Sequence, residues 1–295
     1  MRWFLFGFAS LAAGCDTAVA PLAPTHIAAA NEDPKPSPPS HPDFRQRYPH
    51  IAATNEDPKP APKEPAKAEE KKAEELPAVP QADPKSKLTP LNKVNTLYLE
   101  VLPDGKKRVL VAAEVCLREG LLEVFLCKKN TKEHESILRV DMDTRFIHAA
   151  LEAAGAKAGK PVQFIDVKTG EPDYKAASGQ QIRVTVNCTR DGKPQSHTAQ
   201  EWILDKRTKK PMTHQWVFAG SRFVKNPDAP PTDPDYYSAN NGEVICLSNF
   251  VDSMLDLPVE ISRENADLNF DALTEKIPPL GSKVWVILEP VPEKK

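Results

Sequence analysis

A chain of 295 residues with 39 Lys and Arg against 41 Asp and Glu, a formal charge of -2, is electrostatically balanced; it offers no basic footprint, which argues against nucleic acid as a partner. Five cysteines over this length are too few for a disulfide scaffold. The 30 prolines are spread so unevenly that only the last two-thirds of the chain can build a core, so one folded domain is expected where length alone suggests two.

At the N-terminus Arg2 precedes the apolar run Trp3-Phe4-Leu5-Phe6-Gly7-Phe8, with no acid before Asp16. The run is too short for a stable transmembrane helix and reads as the core of a signal peptide. It closes on Leu11-Ala12-Ala13-Gly14-Cys15, which resembles a lipobox with the Leu one place early. Small residues fit the peptidase pocket, and the Cys15 thiol accepts the lipid. Residues 1–15 are therefore expected to be a lipoprotein-type signal peptide, making the membrane a partner through Cys15. The expected address is the cell envelope, on the periplasmic side of a membrane; Asp16 points to the inner one. The alternative is cleavage after Ala18-Val19-Ala20, giving a soluble secreted protein, but that cut leaves Pro21 next to the scissile bond.

Residues 16–90 are expected to form a disordered linker. From Pro21 to Pro90 the chain has 16 prolines in 70 residues and neither Gly nor Trp. Residues 26–36 and 50–60 are near-copies (His-Ile-Ala-Ala-x-Asn-Glu-Asp-Pro-Lys-Pro), too polar to stack as a solenoid. Residues 61–76 interleave Lys and Glu, as a solvated spacer does.

Residues 91–295 carry the expected domain. Residues 97–102, the Asp104-Gly105 turn and residues 108–116 read as a hairpin, with residues 122–127 as the third strand of a meander after Gly120. Residues 143–154 read as the one long amphipathic helix, with Phe146, Ile147, Ala150, Leu151 and Ala154 on one face, Asp143 at its start and Gly155 at its end. Further strands are expected at 181–187, 201–204, 215–219, 244–247 and 283–288, with Asn240-Asn241-Gly242 as a hairpin turn and a short helical turn within 249–257. The pattern predicts an α+β domain: a mostly antiparallel sheet and one main helix.

Within this domain, Glu114-Val115-Cys116-Leu117-Arg118-Glu119-Gly120, the segment from Cys127 to Ser136, Trp216-Val217-Phe218-Ala219-Gly220-Ser221 and Ile245-Cys246-Leu247-Ser248-Asn249-Phe250 resemble the YdjY-domain proteins found widely in planctomycete bacteria. The similarity covers roughly residues 92 to 290. It implies a bacterial envelope origin and one shared domain, and it carries no established activity.

The sharpest chemical constellation is Cys127 with His134 and Glu135 across the basic loop Lys128-Lys129-Asn130-Thr131-Lys132-Glu133. Neighbouring lysines and a His lower a thiol pKa, as a nucleophilic or redox Cys requires. A strand-end structural Cys beside a surface His is the plainer account. Metal ligation would recruit Cys127, His134, Glu135 and Cys246, but no paired spacing supports it. The meander register sets Cys116 about 13–17 Å from Cys127, which argues against a bridge between them, whereas Cys188 with Cys246 stays open. Ser136 lacks the Gly-x-Ser-x-Gly elbow of a hydrolase. His148 is expected on the solvent flank of the helix, and Trp202, Trp216 and Tyr236 are the candidate groove-lining aromatics, with core filling as the competing reading. No cofactor is indicated. The resulting expectation is a lipid-anchored, non-catalytic module that binds an envelope protein or polymer; the alternative is a thiol-redox or metal-binding domain built on Cys127, His134 and Glu135.

Overall fold

The computed structural model describes residues 76–165, 173–190, 192–225, 230, 232, 235–261 and 269–292. Cys15, the expected signal peptide and most of the expected linker lie outside the described residues. The chain runs through β1 (Lys87–Pro90), β2 (Leu97–Val101), β3 (Lys107–Val115), β4 (Val124–Lys128), β5 (Ser136–Val140) and helix α1 (Arg145–Ala153). Four short strands, β6 (Ala158–Lys160), β7 (Gln163–Ile165), β8 (Asp173–Lys175) and β9 (Ser178–Gly179), make two ribbons, β6 with β9 and β7 with β8. The hairpin β10 (Gln181–Arg190) and β11 (Lys193–Thr198) leads to β12 (Ile203–Asp205), β13 (Lys210–Pro211), β14 (Trp216–Phe218), β15 (Phe223–Val224) and β16 (Tyr236–Tyr237). The chain ends with β17 (Ile245–Cys246), β18 (Leu255–Asp256), β19 (Phe270–Ala272) and β20 (Lys283–Pro290).

Eight of these strands close a ring in the order β3-β20-β10-β14-β18-β17-β4-β5, and β5 returns to β3 with Glu114 opposite Arg139 and Val115 opposite Leu138. The expected α+β domain is therefore corrected to a mostly β, closed barrel with extra strands and a single α-helix among the described residues. The meander through Gly120 is corrected with it: β4 does not pair with β3 but runs parallel to β5, Val124 opposite Ser136 and Leu126 opposite Leu138. Closure satisfies the backbone groups that an open sheet would leave at two edges. The sheet is antiparallel except at β4–β5 and β17–β18.

The alternation along β10 puts Ile182, Val184, Val186 and Cys188 inside and Arg183 and Thr185 outside. Val109, Val111, Ala113 and Val115 of β3 and Val284, Val286 and Leu288 of β20 join them, around the buried rings of Trp202, Trp216 and Phe125. Eight strands leave an interior just wide enough for side chains to fill. β3 and β20 are apolar on both faces, and their outward residues Leu110, Trp285 and Ile287 need a cover. Leu76, Val79 and Leu88 provide it, while Trp285 Nε1 donates to Pro77 O at 2.8 Å and Arg108 to Pro80 O at 3.0 Å. Residues 76–90, read from the sequence as the end of the linker, thus pack on the barrel and supply β1. The buried Glu100 carboxylate anchors them, accepting from the Ala82 N–H at 2.9 Å, from the Ser86 hydroxyl and from Arg108.

Helix α1 buries Ile147, Ala150 and Leu151, but Phe146, expected on that face, is exposed. Its first turn is held from another element: the Thr144 N–H and hydroxyl both donate to Asn240 Oδ1, at 3.0 and 2.9 Å. Asp143 accepts from the Arg145 N–H at 2.9 Å; burial opposes its ionisation, yet the Arg145 and Asn240 contacts hold the carboxyl at about 2. Asn240 and Asn241 form a 3-10 turn rather than a hairpin, and residues 249–257 contain β18 rather than a helical turn. At the helix end Gly155 has φ +92 with open space around its Cβ direction, and the Ala156 N–H reaches Leu151 O at 2.9 Å. Gly155→Ala is therefore expected to cost about 1 kcal/mol through backbone strain alone, read as a shift in the denaturant midpoint at unchanged slope.

Candidate functional site

The register of the closing strands sets Cys127, Arg139, Glu114 and Lys283 in one row across β4, β5, β3 and β20. Arg139 lies 2.7 Å from Glu114 and 3.0 Å from Glu133, and Lys283 also pairs with Glu114. A cavity of about 210 Å³ opens beside Glu114, Arg139 and Lys283. Cys116 lies just past the end of β3, its N–H bonded to Ile137 O at 2.9 Å and its Sγ 3.0 Å from Ser136 O. The meander register from which the Cys116–Cys127 separation was expected is overturned, because β5 lies between the two strands. The Cys127 thiol is held below its ordinary range by the hydrogen bond from Cys116, against the effect of burial and with help from Ser136 and Thr131. The same contact, together with burial, pushes Cys116 up. Both thiols are free, Cys116 half-buried and Cys127 buried.

Cys127 shares a small apolar cluster with Val124, Cys246 and the partly buried Phe250. His134 does not join it. It sits in a 3-10 turn with its side chain 73% exposed, Nε2 being 3.8 Å from Glu135 Oε1. Burial and the neighbouring Glu123 raise the Glu135 carboxyl. Lys132, from the same loop, reaches Glu123 at 2.7 Å and Glu243 at 3.4 Å, with its ammonium 4.0 Å above the Phe250 ring. Burial works against that ammonium, but the hydrogen bond and charge of Glu123 and the charge of Glu243 outweigh it and raise its pKa. Cys246 is buried next to Asp256, and burial and that carboxyl push its thiol far up, which makes it an inert thiol. Among the described residues no group of three or more His, Cys, Asp or Glu is arranged to hold a metal ion. Cys188 lines the main core, in a different cluster from Cys246. Ser136 is fully buried and donates to Leu138 O at 2.7 Å, out of reach of a substrate.

Of the candidate aromatics, Trp202 and Trp216 are core, and Trp216 Nε1 donates to Cys246 O at 2.7 Å. Tyr236 is 43% exposed and has neighbours that sequence reasoning missed: Val224, opposite it across the β15–β16 ribbon, is 41% exposed, and Phe223 is 55% exposed. Their strand is too short for a readable alternation, so no local pattern pointed to them. Phe223 stacks on Tyr237 with ring centres 4.9 Å apart. The buried Tyr237 in turn hydrogen-bonds His148 at 2.8 Å and Gly220 O at 3.1 Å, fixing the ribbon to the body. His148, expected in solvent, is mostly enclosed by Phe218 and Tyr237, and burial lowers its pKa. Tyr236 donates to Asn241 Oδ1 at 2.8 Å. The carboxylates of Asp143, Asp252 and Glu243 lie around it; Asp143 and Asp252 pair with Arg145 and Arg222, while Glu243 shares Lys132 with Glu123.

These features define a closed β-barrel domain with an aromatic ribbon on its surface. The chain belongs to the YdjY-domain family, whose model matches residues 101–289, from the last residue of β2 to the penultimate residue of β20. No curated protein and no solved structure matches the chain.

Proposed function

We propose that this protein is a module of the bacterial cell envelope, lipid-anchored through Cys15 and carried on its Pro-rich linker, that binds an envelope polymer without transforming it. The observation that supports this most is the ribbon. Val224 and Tyr236 expose apolar surface as a cross-strand pair and Phe223 exposes its ring from the other face of the ribbon, in a domain where most large apolar side chains are buried. Exposed aromatic rings beside an amide such as Asn241 suit the apolar faces and hydroxyls of a glycan. Because two of the three surrounding carboxylates are paired with arginines and the third shares Lys132, a neutral polyhydroxylated chain fits better than a polyion.

The test is co-sedimentation of the full chain, carrying Cys15→Ser for solubility, with insoluble bacterial peptidoglycan. The pair Phe223→Ser and Tyr236→Ser is expected to weaken sedimentation at least about tenfold while lowering stability by about 1–3 kcal/mol, through loss of the Phe223–Tyr237 ring contact and the Tyr236–Asn241 hydrogen bond, without unfolding the barrel. Equal sedimentation of the two proteins would remove the ribbon from the account. No sedimentation of either would remove the glycan and leave a protein partner.

A further inference from the structure

Residues 76–82 cross the outside of the barrel as a strap that belongs to no strand, ahead of β1 at Lys87. Each of the first two prolines follows an apolar residue, Leu76-Pro77 and Val79-Pro80, and a residue before proline is pushed out of the helical region into an extended one. Extended Pro-rich chain winds with three residues per turn, so positions three apart share an edge. Two sets of contacts repeat at that spacing. The side chains of Leu76 and Val79 pack on the face formed by Leu110, Trp285 and Ile287. The carbonyls of Pro77 and Pro80 accept from Trp285 Nε1 at 2.8 Å and from Arg108 Nη2 at 3.0 Å. Tyr98 meets the Trp285 ring edge-on, ring centres 5.8 Å apart, and so sets the indole for that donation. An indole and a guanidinium one turn apart suit a polyproline helix, whose backbone makes no hydrogen bonds of its own. We propose that this face is a recognition groove for an extended segment with an apolar residue before each of two prolines three apart, filled in cis by residues 76–80 and open to exchange with such a segment of a partner protein.

Three observations support exchange. The face lies within residues 101–289, the part that the family model matches, whereas the strap lies ahead of it, so groove and occupant are separate in sequence. The strap is anchored at its far end, where the Ala82 N–H donates to Glu100 at 2.9 Å, so residues 76–81 can lift about that point while β1 stays paired with β2. A cavity of about 180 Å³ beside the strap, lined by Pro77, Pro80, Trp285, Asn187, Gln195 and Ser196, gives an incoming chain a place to begin on the same indole. Uncovered, the apolar face would meet water, so it favours either occupant over none. The cis segment competes at a high effective concentration, and a trans segment therefore binds the intact chain weakly. This face is distinct from the aromatic ribbon, and polymer binding there neither requires nor excludes it.

The first test is hydrogen exchange at two indoles of the full chain carrying Cys15→Ser. Trp216 Nε1, bonded to the Cys246 carbonyl in the core, exchanges when the barrel opens; Trp285 Nε1 is expected to exchange at least about tenfold faster, because lifting the strap frees it. Equal rates would show that strap and barrel open together and would overturn the proposal. The second test is fluorescence anisotropy of a labelled peptide, Leu-Pro-Ala-Val-Pro-Gln-Ala, which repeats residues 76–82. The chain carrying Leu76→Ser and Val79→Ser, whose own strap is weakened, is expected to bind it at least about tenfold more tightly than the chain with the strap intact. Adding Trp285→Phe, which removes the donor, is expected to abolish that gain. No binding by the folded strap variant, or binding unchanged by Trp285→Phe, would also overturn the proposal; where the variant does not fold, the two indole rates decide.

Discussion

Trp216→Ala is expected to lower the free energy of unfolding by about 3–5 kcal/mol, the range for emptying a large aromatic site in a core. The side chain has no solvent exposure and lies against Phe125 with ring centres 6.0 Å apart. Two losses combine. Removing the indole leaves a cavity that the surrounding strands, tied into a ring, cannot collapse around. It also strips the fully buried Cys246 carbonyl of its 2.7 Å donor, which adds a desolvation penalty. A guanidinium titration reads the effect directly. A loss below about 1 kcal/mol together with weakened polymer binding would return Trp216 to the surface groove that its residue type alone suggests.

The second large effect is a pH dependence carried by Asp256. This carboxyl is fully enclosed, and burial raises it from 3.8 to about 7, against the Leu257 N–H and Asn249 amide that favour its ionised form. An acid raised on folding stabilises the native state fully below its unfolded pKa, and loses that contribution as pH rises through the folded value. A shift of about three units, at about 1.4 kcal/mol each, sets the scale at about 4 kcal/mol. Asp256→Asn keeps the size and the acceptor and cannot ionise. The variant is therefore expected to gain on the unaltered protein steadily between about pH 4 and pH 7, and to hold a constant lead of that order above it. Denaturant titrations of the two proteins at three pH values across that window test this; parallel stability curves would show that Asp256 does not hold its proton in the fold.

The strands with clean alternation or strong apolar runs, β2, β3, β10 and β20, were legible in the sequence because burial on one or both faces leaves a period-two or continuous signal. The closure was not. It depends on β5, whose Ser-Ile-Leu-Arg-Val is only five residues long, and no pattern within that segment says that it pairs with β3 on one side and β4 on the other. With β5 missing, Gly120 looked like a hairpin turn and the sheet looked as if it needed a helix to cover it. One unseen strand thus produced the errors in fold class and in strand order alike. β17 and β18, two residues each, complete the ring through tertiary context rather than propensity. The site was half legible: Tyr236 and Cys127 stood out by residue type, whereas the partners that give them meaning, Phe223 and Cys116, are set by long-range register.

The reading of the whole chain turns on Cys15, and cell fractionation tests it most directly. The full-length protein and its Cys15→Ser variant are produced in a bacterial host, membranes are separated from soluble periplasmic contents, and the membrane-extracted protein is weighed intact. The account predicts that the unaltered protein partitions with membranes and carries the mass of a lipid on Cys15, while the variant is released into the soluble fraction. Soluble recovery of both, with a chain cut after Ala20, would contradict the anchor and make this a free secreted protein.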